Sequence, residues 1–596
     1  MPVVSIGVRR LFSHLGAAKS MKELLEVLEA LGCHVEDTEE VVLYACAGCG
    51  SPVEALQSEE SPRRCPTCGY ESAAPFAAIG KDQVVRIELL PARPDLFDAG
   101  GLARSIKGFL GLEKGLPRAA VEKGEILVRV DPALSRPESF RPHIACAEVE
   151  MPSLDAEGLR ELMKLQESLH WGIGRDRKLA SIGVYDLSRI VPPIDYRAVG
   201  PDETQFSPLG MPGMRLTPRR ILAEHPKGVA YRHLLEKHAR YPLLIDSKGQ
   251  VLSLPPIINS DETKVSVGSR RLFVDVTGTT ASDTDHALHA IVSSLVETGG
   301  KVRSVRISGP SGERETPELS PRSIVLSRPE TERWLGIPLS PEKFRELLGR
   351  MRLGVEGGPD SFTVSYAAFR TDVKHPVDLM EDVAIAYGFR NMVLDLVPTG
   401  TVGRERPEEA LSARARAALL GLGHFEVMTL VQTTEANHYR RLRLEPGTDH
   451  VQIANPKSIE LDRVRTHLLS GLLEILEKNH HKPAPIRLFE IGNVILLDPS
   501  AETGTREIRR AGIALMGPEA GYAQIRAVVD GLLAELGRTG TYRAASHPTF
   551  LSGRFAEVDL GDGLTARLGE LHPEVVLSFG LAHPTAMAEV DLCRVV

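Results

Sequence analysis

Hydrophobic and polar positions along this chain follow both the helical and the strand period, in separate blocks. Ser20-Met21-Lys22-Glu23 has the sequence of a helix capping box, and four leucines from Leu24 to Leu31 follow at helical spacing until Gly32. This pattern predicts an amphipathic helix over 20–31. The same reasoning predicts a helix opened by Ser340-Pro341 and further helices near 156–171, 282–298, 407–422, 466–479 and 520–537.

Strand patterns lie between these helices. The segment after residue 82 is typical of a strand, a turn around Pro91 and Pro94, and a helix. At 596 residues the chain far exceeds a single core of about 100–200 residues, and the prolines and glycines of 309–321 are typical of a domain boundary. We therefore predict a multidomain chain of mixed α/β and α+β class. Other predicted strands are ILVRVDPAL, IACAEVEMP, IRLFEIGNVILL, RRAGIALMG and GRFAEVDLG.

Composition narrows the class of protein. With 42% hydrophobic and 25% charged residues the chain is typical of globular proteins, and its apolar runs are shorter than the roughly 20 residues that a membrane helix needs. A net charge of −8 argues against binding nucleic acid through bulk charge. The N-terminus MPVVSIGVRRLF lacks the pattern of a secretory signal, so we expect a cytoplasmic protein.

Four of the seven cysteines form a cluster with the spacing of a zinc site. Cys46, Cys49, Cys65 and Cys68 follow the pattern Cys-x2-Cys-x15-Cys-x2-Cys. Four thiolates close a tetrahedron, so we predict a structural zinc ion in a ribbon over 44–72. The alternatives are a reduced cluster without metal, an iron centre or a redox dithiol. Gly50 and Gly69 each follow a cysteine pair, where a positive φ is expected. The remaining cysteines, Cys33, Cys146 and Cys593, are predicted to be buried small residues.

A second candidate metal site consists of carboxylates. Asp378, Glu381 and Asp382 are spaced i, i+3 and i+4, so a helix would place them on one face, and Asp372 lies just before it. An all-oxygen set suits magnesium. The alternative is that acids in a first helical turn merely interact with the helix dipole. P-loop and dinucleotide-binding patterns are absent from the sequence.

Two longer segments carry a family resemblance. ARPDLFDAGGLARSIKGFLG at 92–111 and RTDVKHPVDLMEDVAIAYGFRNM at 370–392 resemble the beta subunit of phenylalanine–tRNA ligase, also called phenylalanyl-tRNA synthetase, of the archaeal and eukaryotic type. The cysteine ribbon departs from the usual pattern of that family. Further similar segments occur in the family's order: SIGVYDLSRI at 181–190, VLSLPPIINSDETKV at 251–265, RLFVDVTGT at 271–279, LFEIGNV at 488–494 and GELHPEVVLSFGL at 569–581.

The resemblance implies four domains. These are an N-terminal α/β domain over 1–118 that contains the ribbon, an editing-type B3/B4 domain over 119–315, a small winged-helix-like B5 domain over 320–396, and a class II synthetase-like antiparallel sheet domain over 400–596. The last domain lacks the catalytic motifs: Arg487 begins a strand without the expected Arg-x-Glu. Arg463 and Arg465 are expected to form surface ion pairs.

The resemblance also implies function and partners. The alpha subunit of an (αβ)2 heterotetramer would attach L-phenylalanine to tRNA(Phe) with ATP, while this chain would contribute assembly, tRNA contacts, magnesium at Asp372, Asp378, Glu381 and Asp382, and editing of Tyr-tRNA(Phe). No membrane partner is expected. Candidate residues of the editing pocket, each of which could instead serve a turn or cap, are His170, Asp186, Asp246, Asn259, Asp275 and Thr277.

Two alternatives of other classes remain open. One is a free-standing hydrolase of mischarged tRNA, and the other is a non-enzymatic, zinc-dependent RNA-binding scaffold. The ribbon itself is expected to hold a protrusion in shape, against tRNA or the alpha chain. Asp246 illustrates the structural alternative for a pocket residue, because Asp-Ser-Lys-Gly is a favourable hairpin turn.

Overall fold

The computed structural model forms two compact units, Met1–Asp395 and Leu396–Val596. Both combine helices with sheets, so the prediction of a multidomain, mixed α/β chain is confirmed. No helix in the described part of the chain is both long and apolar enough to span a membrane. The structure describes residues 3–16, 20–66, 69–117, 119–136, 139–310, 312–397, 399–458 and 460–594.

The first sheet has four strands in the order β1-β4-β2-β3. Ser20 and Glu23 form the predicted capping box, with Ser20 Oγ accepting from the Glu23 amide. Strands β2 and β4 pair from His34↔Glu88 to Ala45↔Ala77, and β3 pairs with β2 over Val41–Ala45, so the ribbon lies at the outer end of a long strand arm. The elements are β1 (Val3–Gly7), α1 (Val8–Leu15), α2 (Met21–Ala30), β2 (His34–Ala45), β3 (Pro52–Leu56), β4 (Ala77–Glu88) and α3 (Ala99–Phe109).

The second sheet has eleven strands, and its main path runs β12-β11-β10-β9-β6-β14-β7-β13-β8, with β5 and β15 also paired to β14. Its strands are β5 (Val121–Glu122), β6 (Leu127–Val130), β7 (His143–Glu150), β8 (Ala180–Asp186), β9 (Ile194–Val199), β10 (Tyr241–Asp246), β11 (Val251–Leu254), β12 (Ile258–Asn259), β13 (Arg271–Gly278), β14 (Lys301–Gly309) and β15 (Gly312–Thr316). Its helices are α4 (Ala156–Trp171), α5 (Pro218–Glu224), α6 (Pro226–Tyr231) and α7 (Ala281–Glu297).

The two faces of β13 belong to different cores because side chains alternate along a strand. Val274 and Val276 pack with Leu288 of α7 in a large core that also contains Leu24 and Leu102 of the N-terminal region. The first two predicted domains therefore share a core across residue 118. On the opposite face, Phe273 packs with Cys146, Tyr185, Leu244 and Leu252. This second core combines residues of β8, at one end of the sheet path, with residues of β11, next to the other end. Asp275 and Thr277 lie on the side of β13 that faces this core.

A three-stranded antiparallel sheet, in the order β16-β18-β17, completes the first unit. Ser340 caps α9 by accepting from the Lys343 amide, with Pro341 in the first turn, as predicted. The elements are β16 (Arg322–Ser327), α8 (Arg328–Leu335), α9 (Pro341–Arg350), β17 (Gly354–Gly357), β18 (Ser361–Tyr366) and α10 (Pro376–Tyr387).

The second unit is built on a seven-stranded, mainly antiparallel sheet in the order β19-β22-β23-β27-β26-β25-β24. The helix predicted at 466–479 begins at Leu469, and the amides of Thr466 and Leu468, which precede it, donate to His438 and Glu589. The elements are α11 (Pro407–Gly421), β19 (Phe425–Glu426), β20 (Gln432–Thr433), α12 (Glu435–His438), β21 (Arg463–Val464), α13 (Leu469–Asn479), β22 (Ile486–Leu497), β23 (Thr505–Met516), α14 (Tyr522–Glu535), β24 (Thr541–Ala544), β25 (Phe550–Gly561), β26 (Leu564–Leu571), α15 (Pro573–Ser578) and β27 (Thr585–Arg594).

Candidate functional site

The ribbon brings three of the four clustered cysteines together. The sulfur atoms of Cys46, Cys49 and Cys65 all lie within 4.8 Å of one another, and Cys49 Sγ is 3.7 Å from Cys65 Sγ. A tetrahedral zinc ion with Zn–S bonds of about 2.3 Å separates its sulfurs by about 3.8 Å, so this spacing fits the ion. Cys68 lies outside the described residues.

Both turns of the ribbon have the backbone geometry that the glycines predict. Gly50 and Gly69 each have a φ of 74°, and their amides donate to the carbonyl oxygens of Cys46 and Cys65 at 2.9 Å. These glycine conformations are confirmed. The ribbon's own core is small, with Tyr44, Val53, Ala55 and Phe76 beside buried cysteines. So small a core supports a fold that a metal orders.

Three of the four carboxylates predicted to bind magnesium have other partners in the structure. Arg370 pairs with Asp372 at 2.7 Å and with Asp382 at 2.9 Å. Asp378 Oδ2 accepts from the Lys374 and His375 amides at 2.7 Å each, which caps α10. Glu381 is exposed. Among the described residues, only the cysteine cluster brings three or more ligand atoms within the distance expected at one ion.

Asp372 and residues just before it contact the other segment that carries the resemblance. Thr371 Oγ1 donates to the Ala92 carbonyl at 2.9 Å, and Arg93 Nε lies 4.0 Å from Asp372 Oδ1. Arg104 stacks over the Phe369 ring with its guanidinium carbon 3.9 Å from the centroid. Residues 92–104 and 369–382 therefore form one charged junction.

A buried polar cluster lies where β8, β11 and β13 meet. The Tyr185 hydroxyl donates to Asp275 Oδ1 at 2.6 Å and lies 2.8 Å from Ser253 Oγ. Burial raises the pKa of Asp275 to about 7. Gly183 faces Asp275 across the strand pair, and a Cβ there would lie 2.0 Å from the Tyr185 hydroxyl oxygen. Only glycine leaves room for the bond between Tyr185 and Asp275.

Thr277 belongs to the same face of β13 and binds a buried arginine that the sequence did not single out. Arg141 donates to Thr277 Oγ1 and to the Thr277 carbonyl, both at 2.9 Å, and to the Arg177 carbonyl at 3.2 Å. Its side chain is fully buried, and burial lowers its pKa to about 10, so it stays charged at neutral pH. Ser181 Oγ lies 3.2 Å from Thr277 Oγ1. One isolated arginine between prolines offers no periodic signal from which to predict this role.

The other predicted pocket residues have mainly structural bonds. His170 Nε2 accepts from the Ile182 amide at 2.8 Å, and burial lowers the pKa of His170 to about 4. Asp186 accepts from Ser188 and Ser269 in a turn. Asp246 accepts from the Lys248 and Gln250 amides at 2.9 Å, which is the hairpin-turn role that its sequence offered.

Asn259 lies closer to the polar cluster than these three residues. It pairs with Ser253 between β11 and β12. Two of the six predicted residues, Asp275 and Thr277, belong to the polar cluster. Asn259 lies outside it but is paired with Ser253, which belongs to the cluster.

The second unit holds several arginines in ion pairs. Arg465 lies 2.7 Å from Glu490, Arg510 lies 2.7 Å from Asp591, and Arg463 lies 2.8 Å from Asp462. Arg463 and Arg465 are thus ion-paired as expected, but they are buried rather than on the surface, because strand β21 and its flank lie inside the unit. The rings of His438 and His467 stack at 3.9 Å beside them.

Comparison with known proteins gives consistent matches over both units. Residues 395–592 match the family model described as the phenylalanyl tRNA synthetase beta chain CLM domain, and residues 324–389 match the tRNA synthetase B5 domain. The phenylalanine–tRNA ligase beta subunit of Methanothrix thermoacetophila is 38% identical over 520 residues, which are 87% of this chain and 94% of that protein.

Two further matches extend the likeness. The phenylalanine–tRNA ligase beta subunit of Methanosphaera stadtmanae is 31% identical over 604 aligned residues that cover 100% of both chains. A crystal structure of an N-terminal fragment of the phenylalanyl-tRNA synthetase beta subunit from Pyrococcus horikoshii is similar with a TM-score of 0.56 at 34% identity. That similarity covers 65% of this chain and 100% of the fragment.

Proposed function

The chain belongs to the phenylalanine–tRNA ligase beta subunit family, and on that basis we propose that it supports the ATP-dependent attachment of L-phenylalanine to tRNA(Phe). ATP, phenylalanine and tRNA are converted to AMP, diphosphate and Phe-tRNA. The observation that carries the proposal is the likeness to a named beta subunit over 100% of both chains. The aminoacylation site is assigned to an alpha subunit, because Arg487 at the start of β22 lacks the Arg-x-Glu arrangement of the class II catalytic motifs.

Co-expression with an alpha chain tests this function. We expect a complex that charges tRNA(Phe) with phenylalanine, an (αβ)2 mass by native mass spectrometry, and no charging by this chain alone. Charging without the alpha chain, or failure to form a complex, would contradict the proposal. Hydrolysis of Tyr-tRNA(Phe) by this chain alone would favour the free-standing hydrolase, and RNA binding without charging or hydrolysis in any combination would favour the scaffold.

We also propose that residues 119–315 edit Tyr-tRNA(Phe). Water attacks the ester carbonyl carbon, the bond from that carbon to the ribose oxygen breaks, and that oxygen takes up a proton, which releases tyrosine and tRNA. Buried polar groups can position the water and recognise the phenolic hydroxyl. The cluster around Asp275 and Thr277 supports these two residues, with Asn259 adjacent, over His170, Asp186 and Asp246.

Hydrolysis of Tyr-tRNA(Phe) by the assembled enzyme tests the editing proposal. We expect Thr277→Val, which keeps the shape and removes the hydroxyl, to slow hydrolysis while phenylalanine charging is unchanged. Unaltered hydrolysis would remove Thr277 from the pocket. Equal loss of charging would indicate general damage to the chain.

A structural zinc ion bound by Cys46, Cys49, Cys65 and Cys68 is proposed for the ribbon. The spacing of the three described sulfurs supports it. Cys65→Ser is expected to lose about one zinc ion per chain by elemental analysis, while charging falls only partly. Collapse of the whole chain on loss of zinc would contradict a local role.

A further inference from the structure

The ribbon lies against the editing-type region and not only against its own strand arm. Glu54 of β3 forms ion pairs with Arg160 and Lys164 of α4. The Arg160 side chain is 5% exposed and that of Glu54 is 14% exposed. Water screens a pair this deeply placed much less than a surface pair, so the contact fixes the ribbon on α4.

A second contact comes from the metal-binding turn itself. A Cβ built at Gly69 would lie 3.2 Å from the Cα of Gly210. Both glycines have a positive φ, 74° at Gly69 and 87° at Gly210. The turn that follows the second cysteine pair therefore meets the loop over 207–214 backbone to backbone.

That loop is bonded to the strand next to the polar cluster. The Leu209 amide donates to the Asn259 carbonyl at 2.9 Å, and the Asp261 amide donates to the Ser207 carbonyl at 2.9 Å. Asn259 pairs with Ser253, whose hydroxyl contacts Tyr185. A continuous series of contacts thus leads from Gly69 through the loop to the Tyr185–Asp275 bond.

The contact between Glu54 and α4 is also connected to the polar cluster, through bonds between α4 and β8. Gln166 of α4 donates to the Ile182 carbonyl at 2.6 Å, and His170 accepts from the Ile182 amide. Ile182 pairs with Val276, which lies between Asp275 and Thr277 on β13. Arg160, which Glu54 binds, lies on the same helix about two turns before Gln166 and about three turns before His170.

We propose that the metal-ordered ribbon is a positioning element for editing: it holds α4 and the 207–214 loop against the Asp275–Thr277 cluster. The proposal rests on the editing function above. Without the metal the Gly69 turn loses its shape, and the loop and the helix lose their external support. Hydrolysis of Tyr-tRNA(Phe) then falls steeply when the metal is lost, whereas charging by the alpha subunit falls only partly.

Three variants in the assembled enzyme test this role. Cys49→Ser removes the metal, Glu54→Gln leaves the metal site intact but removes the charge that pairs with Arg160 and Lys164 of α4, and Glu60→Gln is a matched control at an exposed position of the same ribbon. Zinc content is measured by elemental analysis. Hydrogen exchange of 160–171 and 207–214, Tyr-tRNA(Phe) hydrolysis and phenylalanine charging are measured on the same samples.

We expect Cys49→Ser to lose zinc, to exchange faster in both segments, and to hydrolyse Tyr-tRNA(Phe) about tenfold more slowly, since a shift of about 1 Å in a catalytic group can cost more than that. Glu54→Gln should keep its zinc, exchange faster in 160–171 and slow hydrolysis, and Glu60→Gln should change nothing. Zinc loss with unchanged exchange and hydrolysis overturns the proposal, as does equal slowing of charging and hydrolysis.

Hydrogen exchange separates failure of this proposal from failure of editing itself. If the unmodified enzyme does not hydrolyse Tyr-tRNA(Phe), the editing function is wrong. Faster exchange of 207–214 in Cys49→Ser would then still support the ribbon as a structural brace of that loop, and unchanged exchange would overturn the brace as well. A loss of tRNA binding in Glu54→Gln with normal exchange would instead assign the ribbon to tRNA contact and overturn the proposal.

Discussion

Asp275 is a carboxyl group whose burial works against its ionisation. Its pKa rises from 3.8 to about 7 because burial outweighs the Tyr185 hydrogen bond and the charge of Arg141. A raised folded pKa means that the group's contribution to stability is present below about pH 4 and is lost as the pH rises through about 7. The pH window of this effect is therefore about 4–7.

Asp275→Asn should thus stabilise the region above pH 7. The amide cannot ionise and can still accept from Tyr185, so the gain approaches at most about 4 kcal/mol for three pKa units. It should shrink to nothing near pH 4. Hydrogen exchange of the β13 amides in the whole chain, between pH 4 and 8, measures this local stability. Equal pH slopes for the variant and the native chain would contradict the prediction, and Asp37→Asn, at an exposed position of β2, is the control.

At the buried ion pair Arg465–Glu490, replacing one partner should lower the free energy of unfolding more than replacing both partners. The side chains are 6% and 3% exposed, and Thr429 bonds to both. Arg465→Met leaves Glu490 charged and buried, at an expected cost of about 3–5 kcal/mol in the free energy of unfolding, whereas Arg465→Met with Glu490→Met should recover most of it.

Hydrogen exchange of the β22 amides measures the cost at this pair. The exposed pair Arg416–Glu426 is the matched control, and Arg416→Met should cost at most about 1 kcal/mol. Equal costs at the two sites would mean that burial does not set the strength of these pairs.

At residue scale, local rules predicted some features and missed others for physical reasons. The positive φ of Gly50 and Gly69 and the turn role of Asp246 follow from neighbours within a few positions, so the sequence contains them. Arg141 acts on Thr277, 136 positions away, and nothing near Arg141 encodes that contact.

The carboxylates of α10 belong to the scale of the element. Helical spacing correctly placed Asp378, Glu381 and Asp382 on one helix. It could not show that Arg370, before the helix, pairs with Asp372 and Asp382. The magnesium assignment to these four residues therefore stays a prediction, against which the two ion pairs count.

The magnesium prediction depends chiefly on Asp378 and Glu381, which do not bind Arg370 directly. If the ion binds here, Asp378→Ala with Glu381→Ala should abolish the stabilisation by magnesium, seen as a rise in melting temperature across a titration. The cap at Asp378 contributes about 1 kcal/mol without any metal, so both titrations are compared with their own metal-free values. A magnesium-dependent rise equal to that of the native chain would contradict the site.

The ends of helices also involve contacts that the local sequence does not predict. Periodicity predicted a helix from 466, but His438 and Glu589 take the amides of Thr466 and Leu468. Both partners come from distant segments, so the sequence pattern around 466 could not predict these contacts. The capping box at Ser20, by contrast, is complete within four residues and was predicted correctly.

At the scale of the whole molecule, the three sheets of the first unit follow one another along the chain, but its largest hydrophobic core combines residues from distant segments. The large core of the first unit joins Leu24 and Leu102 to Val274 and Leu288. The sequence predicted strands and helices on both sides of residue 118 and gave no sign that they pack together. Contacts between residues so far apart along the chain depend on how the elements pack, and the hydrophobic pattern within one segment does not specify its packing partner.

The second unit leaves an apolar surface at the edge of its sheet. Phe425 of the edge strand β19 is 74% exposed, Met428 is 92% exposed and Leu430 is 70% exposed. An edge strand with large exposed apolar side chains is typical of a surface that a partner covers. For a beta subunit the expected partner is the alpha chain.

Met428→Glu should therefore weaken assembly with the alpha chain and leave the isolated chain unchanged. A side chain this exposed contributes little to the fold, so the melting temperature of the isolated chain should match the native one. Affinity for the alpha chain, measured by titration, should fall about tenfold or more, because a charge would be buried without a partner. Leu577→Glu, at an apolar position of the same unit that is 72% exposed, is the matched control and should bind normally. Equal affinity for both variants would place the alpha chain elsewhere and leave the β19 edge to another partner.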